Sequence, residues 1–153
     1  MFVAETSAPK RSDYFDASGM RTKSIEFDVL SNQPWREIHR SYDAQGNTLT
    51  LIDLQDAGSK FEYTYDVANT QGWSRYINQT DSAGRHIYAH QLNDDGTAYA
   101  MTLDPANAHP WSKVDQSFDA AGRMTLHLEY KDNGDRAEYT YDASNSQPWQ
   151  RYA

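Results

Sequence analysis

The chain has 153 residues, the length of one ordinary domain, and its 22 acidic and 14 basic side chains give a net charge of −8 at pH 7. Acidic residues occur along the whole chain, which argues against a nucleic acid partner, because phosphate binding depends on clustered Lys and Arg. The absence of cysteine excludes disulfide bonds, Cys-ligated metals and a Cys nucleophile. No apolar run approaches the length of a membrane span, so membrane insertion is not expected.

Four tryptophans divide the chain at a constant interval, at Trp35, Trp73, Trp111 and Trp149. When the chain is aligned on Trp, three copies match without a gap, at 35–72, 73–110 and 111–148. Residues 1–34 resemble the latter part of a further copy, and 149–153 resemble the start of the next. This pattern predicts a single repeat domain over 1–153, built from units that stack on their neighbours.

In chain order, each copy contains three turn signals. The first is Asp-x-x-Gly, in which the Asp side chain caps the turn and the Gly supplies a positive φ angle. It consists of Asp43 and Gly46, Asp81 and Gly84, and Asp119 and Gly122. The second is a short hairpin turn that contains Gly58, Gly96 or Gly134. The third is a longer connection, as in DVANTQG, that always precedes Trp.

Between the turns lie runs of about seven to nine residues, which is a typical strand length. Residues 61–66 and 137–142 alternate in polarity, which places Phe61, Tyr63 and Tyr65 on one face of a strand. No window shows a helical stripe, and the many Thr and Tyr residues favour strands. The predicted fold class is all-β, with antiparallel hairpin or meander repeats of about three strands each.

An odd number of strands per copy has a geometric consequence. In a flat meander the equivalent strand of the next copy runs the other way, so successive tryptophans would point to alternate faces. If the longer connection instead crosses over, the sheet coils and every Trp faces one interior. We favour the coiled strip or solenoid-like sheet, because Trp on an unprotected face is costly. The alternative is a small closed ring resembling a four-bladed propeller.

The segments YDAQGN (42–47) and FDAAGR (118–123), with DNGDRAEYTYDA (132–143), resemble the YD repeat of Rhs-type and teneurin-type proteins. Thr80 stands where that pattern has an aromatic residue, and YDASNSQPW replaces the next YDxxGR. The resemblance implies a β-strip that coils into spirals or shells in large secreted or surface proteins. In such proteins the repeats are usually scaffold. It therefore implies an extracellular or cell-surface location.

Three kinds of residue are candidates for binding chemistry. The four tryptophans could stack on sugar rings, or could pack structurally over the connection that precedes each of them. The repeated Asp turns could converge on calcium, although no known calcium-loop motif appears and ordinary Asp-capped turns explain each of them. His86 and His90 lie two alternations apart on one strand face, but a zinc site needs further ligands, and we interpret them as ordinary sheet residues.

Catalysis needs a specific set of residues that come together once, in a cleft, and repeats rarely create such a set. The sequence therefore predicts a non-catalytic structural or adhesive module, with neighbouring repeats or domains of a larger secreted or surface bacterial protein as its partners. A carbohydrate-binding module that uses Trp and Tyr faces is the first alternative, and a calcium-stabilised extracellular repeat is the second. No organic cofactor is expected. The unpaired edges of an open strip predict edge-to-edge self-association.

Overall fold

The computed structural model describes residues 10–144, 146 and 151–152. Its strands are β1 (Lys10–Phe15), β2 (Arg21–Phe27), β3 (Trp35–Tyr42), β4 (Thr48–Gln55), β5 (Lys60–Tyr65), β6 (Trp73–Thr80), β7 (His86–Asn93), β8 (Ala98–Leu103), β9 (Trp111–Phe118), β10 (Met124–Lys131), β11 (Arg136–Tyr141) and β12 (Arg151–Tyr152). They form one antiparallel sheet in sequence order. The predicted all-β meander strip is confirmed. Within the described residues the sheet is open, because β1 and β12 do not pair with each other, so the alternative ring does not form.

The two short turns of each copy share one geometry. Gly46 N–H donates to Asp43 O at 3.1 Å, and Gly58 N–H donates to Gln55 O at 3.0 Å. In both, a type I turn is followed by a glycine in the left-handed region, which gives a hairpin loop of three residues. All six glycines named above have φ angles between 76° and 90°, where other residues are strained.

The longer connections begin in the same way, with Asn in place of Gly. Asn69 and Asn107 have φ angles of 51° and 53°, a conformation that Asn tolerates better than most residues. Asp66 Oδ2 then accepts a hydrogen bond from Gln71 N–H at 2.6 Å, and Asp104 Oδ2 accepts one from the N–H of His109 at 2.6 Å. Each connection thus begins as a type I turn and then continues to the next Trp.

Adjacent turns contact one another along the edges of the strip. The N–H of Asp56 donates to Pro34 O at 3.2 Å, and the same bond recurs one and two copies later, from Asp94 to Gly72 and from Asp132 to Pro110. The guanidinium of Arg85 donates to Pro105 O at 3.1 Å. Each of these bonds joins the turns of two different hairpins. The turns therefore add hydrogen bonds between neighbouring hairpins to those that the strands make within the sheet.

Two kinds of β-bulge interrupt the ladders. Beside each described Trp the register shifts, so that Trp35 pairs with Gln55 but Glu37 pairs with Leu54. The same shift occurs at Trp73 and Trp111. The second kind of bulge lies next to the Asp-x-x-Gly turn, in the strand that follows the turn. In β7, for example, Ile87 is the extra residue between His86 and Tyr88, which pair with Thr80 and Gln79. A bulge re-aims the flanking side chains, so simple alternation does not give the face on which they lie.

The strand register defines the two faces of the sheet. The His90 face has the row Asp13, Ser24, Arg40, Leu51, Tyr63, Ile77, His90, Ala100, Gln116, His127 and Tyr139. The Asp115 face has the row Ser12, Ile25, His39, Ile52, Glu62, Asn78, Ala89, Met101, Asp115, Leu128 and Glu138. All further side chains are assigned to one of these faces.

The sheet is a single layer. Among the described residues, each strand contacts only the strands next to it in sequence. Burial is therefore shallow, and the buried apolar residues of the described part of the chain are Ala89, Ala100, Val114 and Leu128. Most other strand residues are half-buried. Ring contacts occur along a strand, as between Trp73 and Tyr76 of β6, and across strands, as between His127 of β10 and Tyr139 of β11.

Candidate functional site

One strand breaks the pattern of charges that its counterparts share. In β5, Lys60 Nζ donates to Glu62 Oε2 at 3.0 Å, and β11 has the corresponding pair between Arg136 and Glu138. The aligned residues of β8 are Ala98 and Ala100. The middle copy has therefore lost an ion pair that the copies on either side retain.

The two alanines form the floor of a groove on the His90 face. Ala100 lies between His90 of β7 and Gln116 of β9, and Ala98 lies between Leu92 and Phe118. Ala100 is only 3% exposed because the side chains of the flanking strands rise around it. The cavity has a volume of about 420 Å³, and Tyr88 and the turn residues Gly96, Asp119, Ala120 and Gly122 also line it. We call it the alanine groove.

The wall on β7 consists of two stacked rings. Tyr88 and His90 lie with ring centroids 6.4 Å apart and planes at 19°. His90 Nδ1 is buried and has no hydrogen-bond partner among the described residues. Burial, and then the nearby Arg75 cation, lower the pKa of His90 below its ordinary value. His90 is therefore neutral at pH 7.

The wall on β9 is held by a chain of hydrogen bonds. Gln116 Nε2 donates to His127 Nδ1 at 3.3 Å, which fixes the proton of His127 on Nε2. Nε2 then donates to Glu129 Oε1 at 3.1 Å, and Glu129 also pairs with Lys131. Because the amide nitrogen of Gln116 is engaged in this chain, its oxygen is the polar atom left for another partner.

The carboxylate at the rim of the groove is already satisfied. Asp119 Oδ1 accepts the N–H groups of Ala121 and Arg123 at 3.0 and 2.9 Å, and Oδ2 accepts from the Arg123 side chain at 2.8 Å. These bonds, with the Arg123 N–H first, lower the pKa of Asp119. The alanine groove therefore presents no carboxylate that lacks a partner.

A second cluster lies across the sheet on the Asp115 face. Asp115 is 8% exposed, and it accepts from Tyr99 Oη at 2.6 Å and pairs with Lys113 Nζ at 2.7 Å. Lys113 Nζ also lies 4.1 Å from the centroid of the Tyr130 ring. Burial alone would raise the pKa of Asp115, but Lys113 and the hydroxyl groups outweigh it and the pKa is lowered. This compact cluster ties β8, β9 and β10 together.

The predicted tryptophans do not share one interior. Trp35 and Trp111 lie on the His90 face, while Trp73 lies on the Asp115 face, 6.4 Å from the ring of Tyr76. The expectation that every Trp faces one side is wrong, because the connections do not cross over and three strands per copy reverse the face. Trp111 stacks on His109 at 4.8 Å, within its own connection. Trp149 lies outside the described residues.

The predicted turn carboxylates are engaged locally. Asp43 and Asp81 accept backbone N–H groups of their own turns and the side chain of the fifth turn residue, Asn47 or Arg85. The Asn47 side chain and the Arg85 N–H, respectively, are the largest causes of a lowered pKa at these two aspartates. The described residues contain no group of three or more His, Asp or Glu side chains that could hold a metal ion. Calcium stabilisation stays a prediction.

The prediction that His86 and His90 share a face is wrong. The bulge at Ile87 pairs His86 with Thr80, a residue of the Asp115 face, whereas His90 points to the opposite side. Sequence reasoning also missed the alanine groove. When the copies are aligned, Ala98 and Ala100 stand where the neighbouring copies have charged residues. A groove can be inferred from this difference only when the side chains that flank the two alanines are known.

Searches against protein-family models, curated proteins and solved structures each found no match. Within the described residues, no helix is long and apolar enough to cross a membrane.

Proposed function

We propose that this chain is a non-catalytic structural or adhesive module that separates or presents other parts of a larger secreted or surface protein. The observation that carries this proposal is that each described strand contacts only its sequence neighbours. In such a quasi-one-dimensional architecture, adding a unit lengthens the molecule and leaves the existing contacts unchanged. The resemblance to YD repeats supports the extracellular location.

The strip has the dimensions of a short spacer. Neighbouring strands in a sheet lie about 4.8 Å apart, so three strands advance the strip by about 14 Å. An odd number of strands also reverses the face, as the alternating positions of Trp35, Trp73 and Trp111 illustrate. A spacer built this way sets the distance to the next domain and also the side on which that domain is presented.

The contacts between turns favour a stiff spacer. The bonds from Asp56 to Pro34 and from Asp132 to Pro110 join turns that lie beside each other on one edge. Because each bond connects a hairpin to the connection before it, bending the strip between copies would break them. A two-faced sheet with such braced edges offers surface for adhesion on both sides and resists compaction.

The experiment that tests the spacer is the insertion of one further copy, a second 73–110 placed after Pro110. We expect small-angle X-ray scattering to show an increase of about 14 Å in the maximum dimension, and urea unfolding to stay cooperative. A matched control inserts a Gly- and Ser-rich segment of equal length at the same place, which lengthens a flexible chain without extending the sheet. An unchanged maximum dimension for the extra copy would contradict the proposal.

The edge at β1 predicts weak self-association. Tyr14 and Phe15 are 48% and 61% exposed at this edge. Among the described strands β1 pairs only with β2, which leaves its other side without a described partner strand. We expect light scattering to show a rise in apparent mass with concentration, and Phe15→Lys to reduce it. Equal behaviour of Phe15→Lys and the parent chain would show that this edge is not the contact.

A further inference from the structure

We infer that the alanine groove is a binding site for one ring of a neutral saccharide. This inference goes beyond the spacer function and does not depend on it. Among the three complete copies within the described residues, the middle one alone has this pair of alanines, because the aligned positions of β5 and β11 have Lys60–Glu62 and Arg136–Glu138 pairs. A surface opening that the repeat does not require is a better candidate for a site than any feature that recurs.

The shape fits a small ring. The walls stand on β7 and β9, two strand spacings apart, which is about 9.6 Å between backbones. The volume of about 420 Å³ lies within the range of small-molecule sites, about 300–1,000 Å³. The floor is low because β8 contributes the small side chains of Ala98 and Ala100, followed by Thr102 beside Tyr88. One ring can rest on the half-buried methyl group of Ala98, next to the covered Ala100, with its edges toward both walls.

The lining is amphipathic in a way that matches a pyranose. The methyl group of Ala98 and the ring of Phe118, both half-buried and paired across β8 and β9, offer apolar contact to the C–H face of a sugar. At the walls, Tyr88 Oη and Gln116 Oε1 have no hydrogen-bond partner among the described residues, and Tyr88 is half-buried beside His90. A ring with an apolar face and hydroxyl groups on its edge would use both kinds of contact, whereas a purely aromatic ring would leave these polar atoms unpaired.

The charge of the lining favours a neutral ligand. Asp119 is paired with Arg123 and with backbone N–H groups, and His90 is neutral. Two cations border the groove: Arg123, which is paired with Asp119 at the rim, and Arg75, which lies one strand beyond the groove and pairs in register with Leu92 of the wall. A charged ligand would lose its hydration without finding a free counter-charge in the groove. Neutral hexose and N-acetylhexosamine rings carry no such penalty.

The test is a titration of the protein, labelled with ¹³C at its alanine methyl groups, with maltohexaose, cellohexaose and chitohexaose, each up to about 10 mM, where a millimolar Kd is measurable. We expect at least one oligosaccharide to shift the methyl signals of Ala98 and Ala100. The double variant Ala98→Lys/Ala100→Glu restores the pair found in the neighbouring copies and fills the floor. It is expected to weaken binding at least tenfold, and Tyr88→Phe to weaken it by about three- to tenfold.

A matched control is Lys60→Ala/Glu62→Ala, which removes the equivalent pair of β5 on the Asp115 face and should leave the shifts of the Ala98 and Ala100 methyl signals unchanged. Circular dichroism and melting of each variant show whether the sheet is retained. The inference is overturned if none of the three oligosaccharides shifts the alanine methyl signals, or if binding survives Ala98→Lys/Ala100→Glu in a folded protein. Preferential binding of a sulfated glycan, unaffected by that variant, would also overturn it. Neither result bears on the spacer length measured by scattering.

Discussion

Strands β5 and β8 occupy the same place in successive copies, yet they use their two faces differently. Strand β5 has Lys60 and Glu62 on one face and Phe61, Tyr63 and Tyr65 on the other. Strand β8 has two alanines where β5 has the ion pair. Because the copies reverse, these positions also open on opposite sides of the sheet.

The difference shows which parts of a copy maintain the strip. The turns before β5 and β8 have the same hydrogen bonds and left-handed glycines, at Gly58 and Gly96. The strand residues between the turns differ in size, charge and polarity. In a single-layer sheet most side chains contact solvent, so substitutions on the strands cost little, while a changed turn would shift the register of every following strand. Individual copies can therefore acquire their own surface without losing the fold.

The largest expected effect comes from the turns. Gly58 and Gly96 have φ angles of 87° and 84°, and a Cβ would lie 3.0 Å from Ser82 Cβ or 3.2 Å from Ala120 Cβ. Alanine there costs about 1–2 kcal/mol in backbone strain and about 1 kcal/mol more from the close contact. Urea unfolding of Gly58→Ala and Gly96→Ala should give similar losses.

Gly134 is the matched control for this prediction. Its φ angle is 90°, but a Cβ would meet nothing within 4 Å. Gly134→Ala should therefore cost only the strain of about 1–2 kcal/mol. Equal losses at Gly58, Gly96 and Gly134 would mean that the contacts between turns contribute nothing to stability.

The next effect concerns Asp115, which has no carboxylate counterpart in the other copies. The aligned residues are Ile77 and His39. Asp115→Ala leaves Tyr99 and Lys113 without their partner, at a cost of about 2 kcal/mol in the free energy of unfolding. Asp115→Ile places the residue of the preceding copy there and should cost less, because its apolar side chain packs over Leu128 and Met101. A larger loss for Ile than for Ala would show that the Asp115 face does not tolerate exchange between copies.

The same residue gives a pH dependence with a defined sign. The pKa of Asp115 is lower in the folded protein than its ordinary value, because Lys113 and hydroxyl groups outweigh the effect of burial. Its stabilising contribution is therefore complete above the unfolded pKa, near 3.9, and is lost as pH falls through the folded pKa. Urea unfolding between about pH 6 and pH 3 should show a shallower decline for Asp115→Ile than for the parent chain. Parallel curves would contradict the assigned shift.

The sequence predicts the turns well and the faces poorly. The Asp and Gly residues at 43–46 and their counterparts carry their geometry locally, because a capped turn with a left-handed residue needs little from the rest of the chain. The bulges beside Trp73 and at Ile87 leave no trace in polar and apolar alternation, since they depend on how two strands pair. The face of His86 was mispredicted because of the bulge at Ile87, whereas that of Trp73 was mispredicted because the connections do not cross over. The alanine groove was invisible for the same reason, because it is formed by side chains from three strands.

The smallest expected effect is also the most direct comparison of β5 with β8. Ala98→Lys/Ala100→Glu gives β8 the pair of β5, whose side chains are 38% and 39% exposed, and Lys60→Ala/Glu62→Ala makes the reverse exchange. Exposed ion pairs contribute about 0–1 kcal/mol, so Lys60→Ala/Glu62→Ala should stay within about 1 kcal/mol of the parent chain in urea unfolding. Ala98→Lys/Ala100→Glu adds side-chain volume at a position that is 3% exposed and should cost about 1 kcal/mol more. If Ala98→Lys/Ala100→Glu instead costs several kcal/mol, then the walls of the alanine groove have packed around the small residues. The groove would then be part of the core of the strip, and its alanines would be required for folding.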